Sequence, residues 1–500
     1  MGGGRREADL VALGVGALLH GADALAGPGD TFGLGARSLG RGGAGAEWAE
    51  GAEAAWLNPA ALAGQEHDSF FVNYTALRAE FKELPPVYWD TNIDGTINED
   101  DEPLHLDTPG GAYDGVQLGL RRGLGKRVAI GLAAFLPKDR LLRISSTEPS
   151  LPDYFLYNRR LQRFELAAGA GVDVFRGLHL GAGAQVLAKA TVEMVGRLQI
   201  DVTGADEGDE DMSGLISNTT FDMSSIDLDV KPVLLPVVAV DLDVGRLVPA
   251  LQGLYLGGTW RGSGGLPVDI DVDLELDANV KDVGDLDPIA LALLARLEMA
   301  FLDHAEPSRW TAAAAYGYKR RVLATVDVTG TNWQDVVPSV TQIDEDHSTL
   351  ESPLFQQDDP SVSDGNAYKL VLERTLGVRT GAEVALLDRD LDKKVGFLRV
   401  ALRGGFGYEP SPLVSQGNTS AFLDADRLLF SAGLGVEHGD PTGHLDGPVD
   451  WDLFFQEHLL AGGELDRSLP AYQAGGPVDG APIPIGGHLM AAGLQWSIAY

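Results

Sequence analysis

Along most of this chain, apolar residues fall at every second position. At the end, Met490, Ala492, Leu494, Trp496, Ile498 and Tyr500 share one phase, and Ala491, Gly493, Gln495, Ser497 and Ala499 the other. A period of two puts these sets on opposite faces of a strand. One face is apolar with aromatics near its end; the other is small or polar. That division suits a strand between lipid and a lumen. The alternation recurs at 164–174, 178–187, 428–437 and 449–456. A soluble β-sandwich also alternates, but its inner faces would be bulkier than these glycine and alanine runs. Such segments number about fourteen after residue 67, an even count that leaves both ends on one side of a membrane. The predicted fold is an all-β transmembrane antiparallel barrel over 68–500.

The connections alternate in length. Short ones carry bases: Arg121-Arg122-Gly123-Leu124-Gly125-Lys126-Arg127, Phe175-Arg176-Gly177, Lys319-Arg320-Arg321 and Asp390-Leu391-Asp392-Lys393-Lys394. Long ones are acidic, as at Asp206, Glu207, Asp209, Glu210 and Asp211. Short turns are expected in the periplasm and long loops outside. The formal net charge of -35 excludes nucleic acid as a partner, because phosphates would be repelled. With no cysteine there are no disulfides and no thiolate metal sites.

Residues 1–26 read as a signal peptide. Arg5 and Arg6 are basic, Leu10 to Leu19 is apolar, and Ala24-Leu25-Ala26 offers a cleavage site before Gly27. No later stretch is long and apolar enough for a membrane helix. Residues 27–67 do not alternate. They hold a glycine-rich run with Gly40, Gly42, Gly43 and Gly45, then Asn58-Pro59-Ala60. Gly40, Gly42 and Gly45 also fit G-x-G-x-x-G, but no strand precedes them and the chain lacks βαβ units, so a dinucleotide site is excluded.

This glycine run followed by Asn58-Pro59-Ala60 resembles the start of the FadL family of outer-membrane transporters for long-chain fatty acids and aromatic hydrocarbons. Phe406-Gly407-Tyr408-Glu409-Pro410-Ser411-Pro412, with Leu423 to Arg427 and Phe430 to Gly435, is similar to that family's eleventh and twelfth strands. The resemblance implies a hatch at 27–67 plugging a fourteen-stranded barrel. It also implies capture outside, a greasy pocket above the hatch, and exit by a hatch shift and sideways opening. Asn58 is expected to tie the hatch to the wall, or else to make a plain Asn-Pro turn.

Two loops carry further expectations. Asp90, Asn92, Asp94, Thr96 and Asp101 match the ligand positions of an EF-hand-type loop, with Gly95 at the sharp turn, so one Ca²⁺ is expected there. Asp287 and Pro288 suit the start of a helix running through Ile289 to Leu302. Apolar nearly all round, that helix would offer a landing surface for substrate at Ile289, Leu293, Leu297 and Phe301.

No nucleophile elbow, zincin motif or phosphate-binding loop is present, so an enzyme is not expected. The reading is a monomeric passive channel for hydrophobic small molecules, surrounded by outer-membrane lipid. Its aromatic Tyr500 end resembles the signal read by the barrel assembly machinery. The alternative is a cell-surface assembly or secretion partner without transport. An apolar pocket beneath the loops would favour transport; a sealed or polar lumen would favour the alternative.

Overall fold

The structure, a computed structural model, describes residues 28–84, 87–88, 103–104, 110–139, 152–154, 156–157, 163–203, 216–281, 289–319, 321–335, 344–345, 370–391, 396–416, 421–440, 442, 444–445, 447–465 and 482–500. The expected signal peptide and calcium loop lie outside them.

Alternation becomes a closed ring. Its fourteen strands are β1 (Ser69–Phe81), β2 (Gly115–Gly123), β3 (Val128–Pro137), β4 (Glu165–Phe175), β5 (Leu178–Thr203), β6 (Ile216–Asp243), β7 (Leu254–Arg261), β8 (Ser308–Tyr318), β9 (Val322–Asn332), β10 (Thr375–Asp390), β11 (Phe397–Glu409), β12 (Arg427–His438), β13 (Val449–Leu465) and β14 (Ile483–Ala499). Each pairs antiparallel with the next, and β1 closes on β14 from Ser69↔Ala499 to Phe81↔Gly487. Closure removes the unpaired strand edges that lipid cannot satisfy. At the seam, Asp68 and Tyr500 exchange backbone hydrogen bonds of 3.1 and 2.9 Å.

The two phases separate as expected. Leu132, Leu180, Val240, Phe430, Leu453 and Leu494 are exposed on the outer face, while Asn73, Gln117, Asp327, Gln456 and Gln495 are buried. Trp451 and Trp496 lie 6.4 Å apart on β13 and β14. A continuous apolar exterior around a polar interior is the solution for a barrel in lipid. No helix among the described residues is long and apolar enough to cross a membrane. The short connections gather at one end, where Arg176 (φ 43°) and Lys319 (φ 48°) take the left-handed conformation of tight hairpins. The late hairpin singled out in the sequence forms strands β11 and β12, the eleventh and twelfth of the ring.

The expected helix at 288–302 is corrected. Asp287 and Pro288 lie outside the described residues, and Ile289–Glu306 is a strand paired antiparallel with Gly264–Lys281. Ile289, Leu293, Leu297 and Phe301 therefore share one face of a strand. The run satisfies a period of two as well as a helical one, and periodicity alone does not separate them. Within Gly264–Lys281, residues 268–278 alternate strictly between apolar and acidic residues, and the strand offers an edge. Pairing with that edge overrides the helical preference of leucine and alanine.

Candidate functional site

The N-terminal segment forms only short helical turns, among them Ala36–Gly40, Ala54–Leu57 and Pro59–Leu62. It lies within the ring, against strands on every side. With few large side chains of its own, it is held by the wall. The fit is backbone to backbone. A Cβ at Gly433 on β12 would come within 3.0 Å of Gly40 Cα, and one at Gly181 on β5 would collide with Ala60. Inward glycines on the strands are thus partners of the segment's own glycine-rich run. Gly42, Gly43 and Gly45 take φ values of 76°, 70° and 106°, which glycine adopts without strain.

Asn58 makes one local hydrogen bond and one to the wall. Its Oδ1 accepts from Ala60 N at 3.0 Å, capping the turn at Pro59, and its Nδ2 donates to the Val240 carbonyl of β6 at a long 3.4 Å. The stronger ties come from wall residues that the sequence analysis did not assign to the segment. Gly29 N donates to Glu165 at 2.8 Å, Gly35 N to Gln117 at 2.9 Å and Ala36 N to Gln495 at 2.8 Å. Gly45 N and Ala46 N both donate to Asp327, and Gln456 donates to the Leu39 carbonyl at 2.8 Å. Arg121 donates to the carbonyls of Leu62, Gln65 and His67. A segment without regular structure leaves backbone groups unpaired, and inward polar residues of the strands satisfy them. The available signal was their phase: each is a polar residue at an inward position of its strand.

One ionic cluster stands apart. Glu383 on β10, 1% exposed at its side chain, receives both Nε and Nη2 of Arg37 at 2.9 Å. It also receives Arg399 at 3.0 Å and Arg403 at 2.8 Å, both from β11. Arg37 bridges to Glu50 and Arg403 to Asp452 of β13. Against the cost of burial, Glu50 and Glu383 hold the Arg37 guanidinium well above its usual range. Nearby, buried Arg41 leaves Nε and Nη1 without a hydrogen-bond partner, and burial lowers its pKa. Burial pushes the Glu53 carboxyl up to about 8, opposed by Arg41.

The segment separates two cavities. Toward the long loops, a cavity of about 170 Å³ is bordered by Trp56, Tyr157 and Trp333, and by Arg261, Arg309, Arg379 and Arg427 of the wall. Burial raises the Asp424 carboxyl at its mouth to about 7. Beside it lies an apolar cluster including Phe81, Phe135, Tyr154, Phe422 and Phe454, with Phe81 and Tyr154 stacked at 4.1 Å. Toward the short turns, a cavity of about 460 Å³ is lined by Arg37, Glu53, Glu383, Arg403, Asp450 and Asp452, among others.

No family model and no curated protein matches the sequence. Solved structures do match. A FadL homologue of Pseudomonas aeruginosa aligns with 93% of this chain and 97% of its own, at 12% identity and a TM-score of 0.53. The P. putida toluene transporter TodX aligns over 94% and 99%, at 13% identity and 0.48. The Ralstonia pickettii toluene transporter TbuX aligns over 94% and 99%, at 14% identity and 0.44. A closed ring of fourteen antiparallel strands, aligned with the P. aeruginosa protein over 93% of its length, gives this chain the FadL-type fold.

Proposed function

We propose that this chain is a passive outer-membrane channel for hydrophobic small molecules, in the class of long-chain fatty acids or aromatic hydrocarbons. The observation that carries the reading is the pair of cavities on opposite sides of a segment held by side-chain hydrogen bonds and ion pairs rather than by a strand ladder. A segment held in this way can shift without unfolding the ring. The long-loop end faces outward in this reading. Substrate meets the face carrying Ile289, Leu293, Leu297 and Phe301, enters beside the aromatic cluster, and leaves after the segment moves. Nothing in the chain supplies energy, so flow follows the gradient. The wall of four arginines favours molecules with a polar head on an apolar body over plain hydrocarbons.

The mixed polarity of that cavity is also what the alternative, an assembly or secretion partner, draws on. One experiment separates them. Removal of residues 27–62 leaves every strand intact, so the barrel still assembles. It should conduct small polar solutes in planar bilayers and lose selective uptake of labelled hydrophobic molecules. A deletion that stays closed and takes up such molecules normally would overturn the channel reading.

A further inference from the structure

Arginines around the long-loop cavity would by themselves attract an anion. The same cavity is bordered by as many acids: Arg261, Arg309, Arg379 and Arg427 are matched in number by Glu306, Asp327, Glu409 and Asp424. Glu409 receives Arg379 Nε at 2.8 Å and also bridges to Arg427. Arg309 lies 3.8 Å from Glu306. Arg261 donates to the Trp56 carbonyl and sits over that ring at 5.3 Å. Asp327 accepts from Gly45 N and Ala46 N of the inner segment. A carboxylate entering here would lose its water and meet only arginines that already have partners. The charge balance therefore disfavours an anionic head.

Two polar atoms on residues bordering the cavity lack a hydrogen bond among the described residues. They are Thr31 Oγ1 of the inner segment and Asp424 Oδ1 of the loop before β12, on residues only 1% and 7% exposed. The other Asp424 oxygen accepts from Ser411 Oγ, which fixes the carboxyl in place. Burial raises that carboxyl to about 7, so near neutral pH it is present in both forms and can accept or donate. Buried polar atoms without partners are rare because they are costly. Beside a cavity, they mark where a ligand's polar group would sit. A hydroxyl donates one hydrogen bond and accepts others, so it suits both atoms and adds no charge.

The volume fixes the body that carries the hydroxyl. The cavity holds about 170 Å³, and an apolar cavity of about 150 Å³ takes up benzene. One aromatic ring with a small head fills it, against the rings of Trp56, Tyr157 and Trp333 that border it. We propose that this cavity is a binding site for uncharged, hydroxylated aromatic molecules of phenol size, taken in preference to carboxylates and to plain hydrocarbons. The inference rests on the channel reading and narrows its substrate class. Discrimination against the plain hydrocarbon follows because a ring without the hydroxyl leaves Thr31 and Asp424 unpaired. Discrimination against the carboxylate follows from the charge already balanced around the cavity.

Three probes with the same ring and methyl group test it: para-cresol, toluene and para-toluate. Calorimetry on the full-length protein in detergent at neutral pH, with protein-free micelles as the blank, should show para-cresol binding roughly tenfold tighter than either of the others. Thr31→Val and Asp424→Leu should each weaken para-cresol about tenfold and leave toluene unchanged, in barrels that keep their heat-modifiable mobility on gels. Thr31→Val keeps the side chain's shape, so it tests the hydroxyl even where Asp424→Leu disturbs the loop. Para-toluate or toluene binding as tightly as para-cresol overturns the proposal. So does para-cresol binding that is unchanged in Thr31→Val and in a folded Asp424→Leu. Uptake by intact bacteria producing the protein, against cells without it, separates this inference from the channel reading. Uptake of all three probes regardless of head group would keep the channel and overturn the site, whereas selective binding of para-cresol without uptake would keep the site and overturn the channel.

Discussion

Glu383 receives three arginines from two sources: Arg37 from the inner segment, and Arg399 and Arg403 from the wall. Removing one member of a buried charge cluster costs about 3–5 kcal/mol, because the partners keep their charge and lose its compensation. Glu383→Gln should therefore free Arg37 and loosen the segment, seen as frequent openings in single-channel recordings. Asn58→Ala, which loses one long bond and a turn cap, should open the channel far less. Glu53 adds a pH term. Its folded-state pKa of about 8 lies above the ordinary carboxylate value of 4.5, so the folded state binds the proton more tightly. Its burial costs nothing below about 4.5, where it is protonated in both states, and the penalty grows until the pH passes about 8. Closure should weaken from pH 6 to pH 9, and Glu53→Gln should flatten that dependence. Openings that ignore pH in the parent protein would refute it.

At the scale of the element, β14 offers the cleanest test of facing. Leu494 is 46% exposed on the outer face, whereas Gln495 is buried and accepts from Ala36 N. Leu494→Arg should destabilise the barrel by about 2–4 kcal/mol near the bilayer midplane, measured by denaturant unfolding in lipid. Gln495→Arg should spare the barrel and release the segment; equal unfolding costs at both positions would refute the facing. The loop from Asp90 to Asp101 lies outside the described residues, and its calcium remains our proposal from motif alone. Calorimetry in millimolar calcium should give a dissociation constant of about 10⁻⁴–10⁻³ M that is lost in Asp94→Ala. Identical heats from parent and variant would remove the ion.

Over the whole molecule, the inner segment depends on the ring that holds it. Closure pairs Ser69 with Ala499, more than four hundred residues apart in sequence, so the last strand must meet the first. Inside, Gly29, Gly35, Ala36 and Gly45 each bond a different strand, so the segment is in place only when the ring is complete. The two cavities then become separate spaces, because the segment reaches every wall. The formal net charge of -35 contrasts with a lumen where arginine and carboxylate balance around Glu383.

The alternation at 164–174, 428–437 and 490–500 determined the strands, their facing and the ring, because lipid on one side and a lumen on the other impose a period of two on each strand separately. The run from Gly40 to Gly45 with Asn58-Pro59-Ala60 marked the segment as something other than strand, since small residues in that density cannot make a core. What required the tertiary structure was which inward residues meet it. Glu383, Gln117 and Asp327 are ordinary polar residues in phase with the lumen, and only closure of the ring brings them to Arg37, Gly35 and Gly45. The same limit explains Ile289–Glu306. Its composition suits a helix and its spacing suits either element, and the partner strand Gly264–Lys281 decided, because an alternating edge supplies hydrogen bonds that no local pattern records.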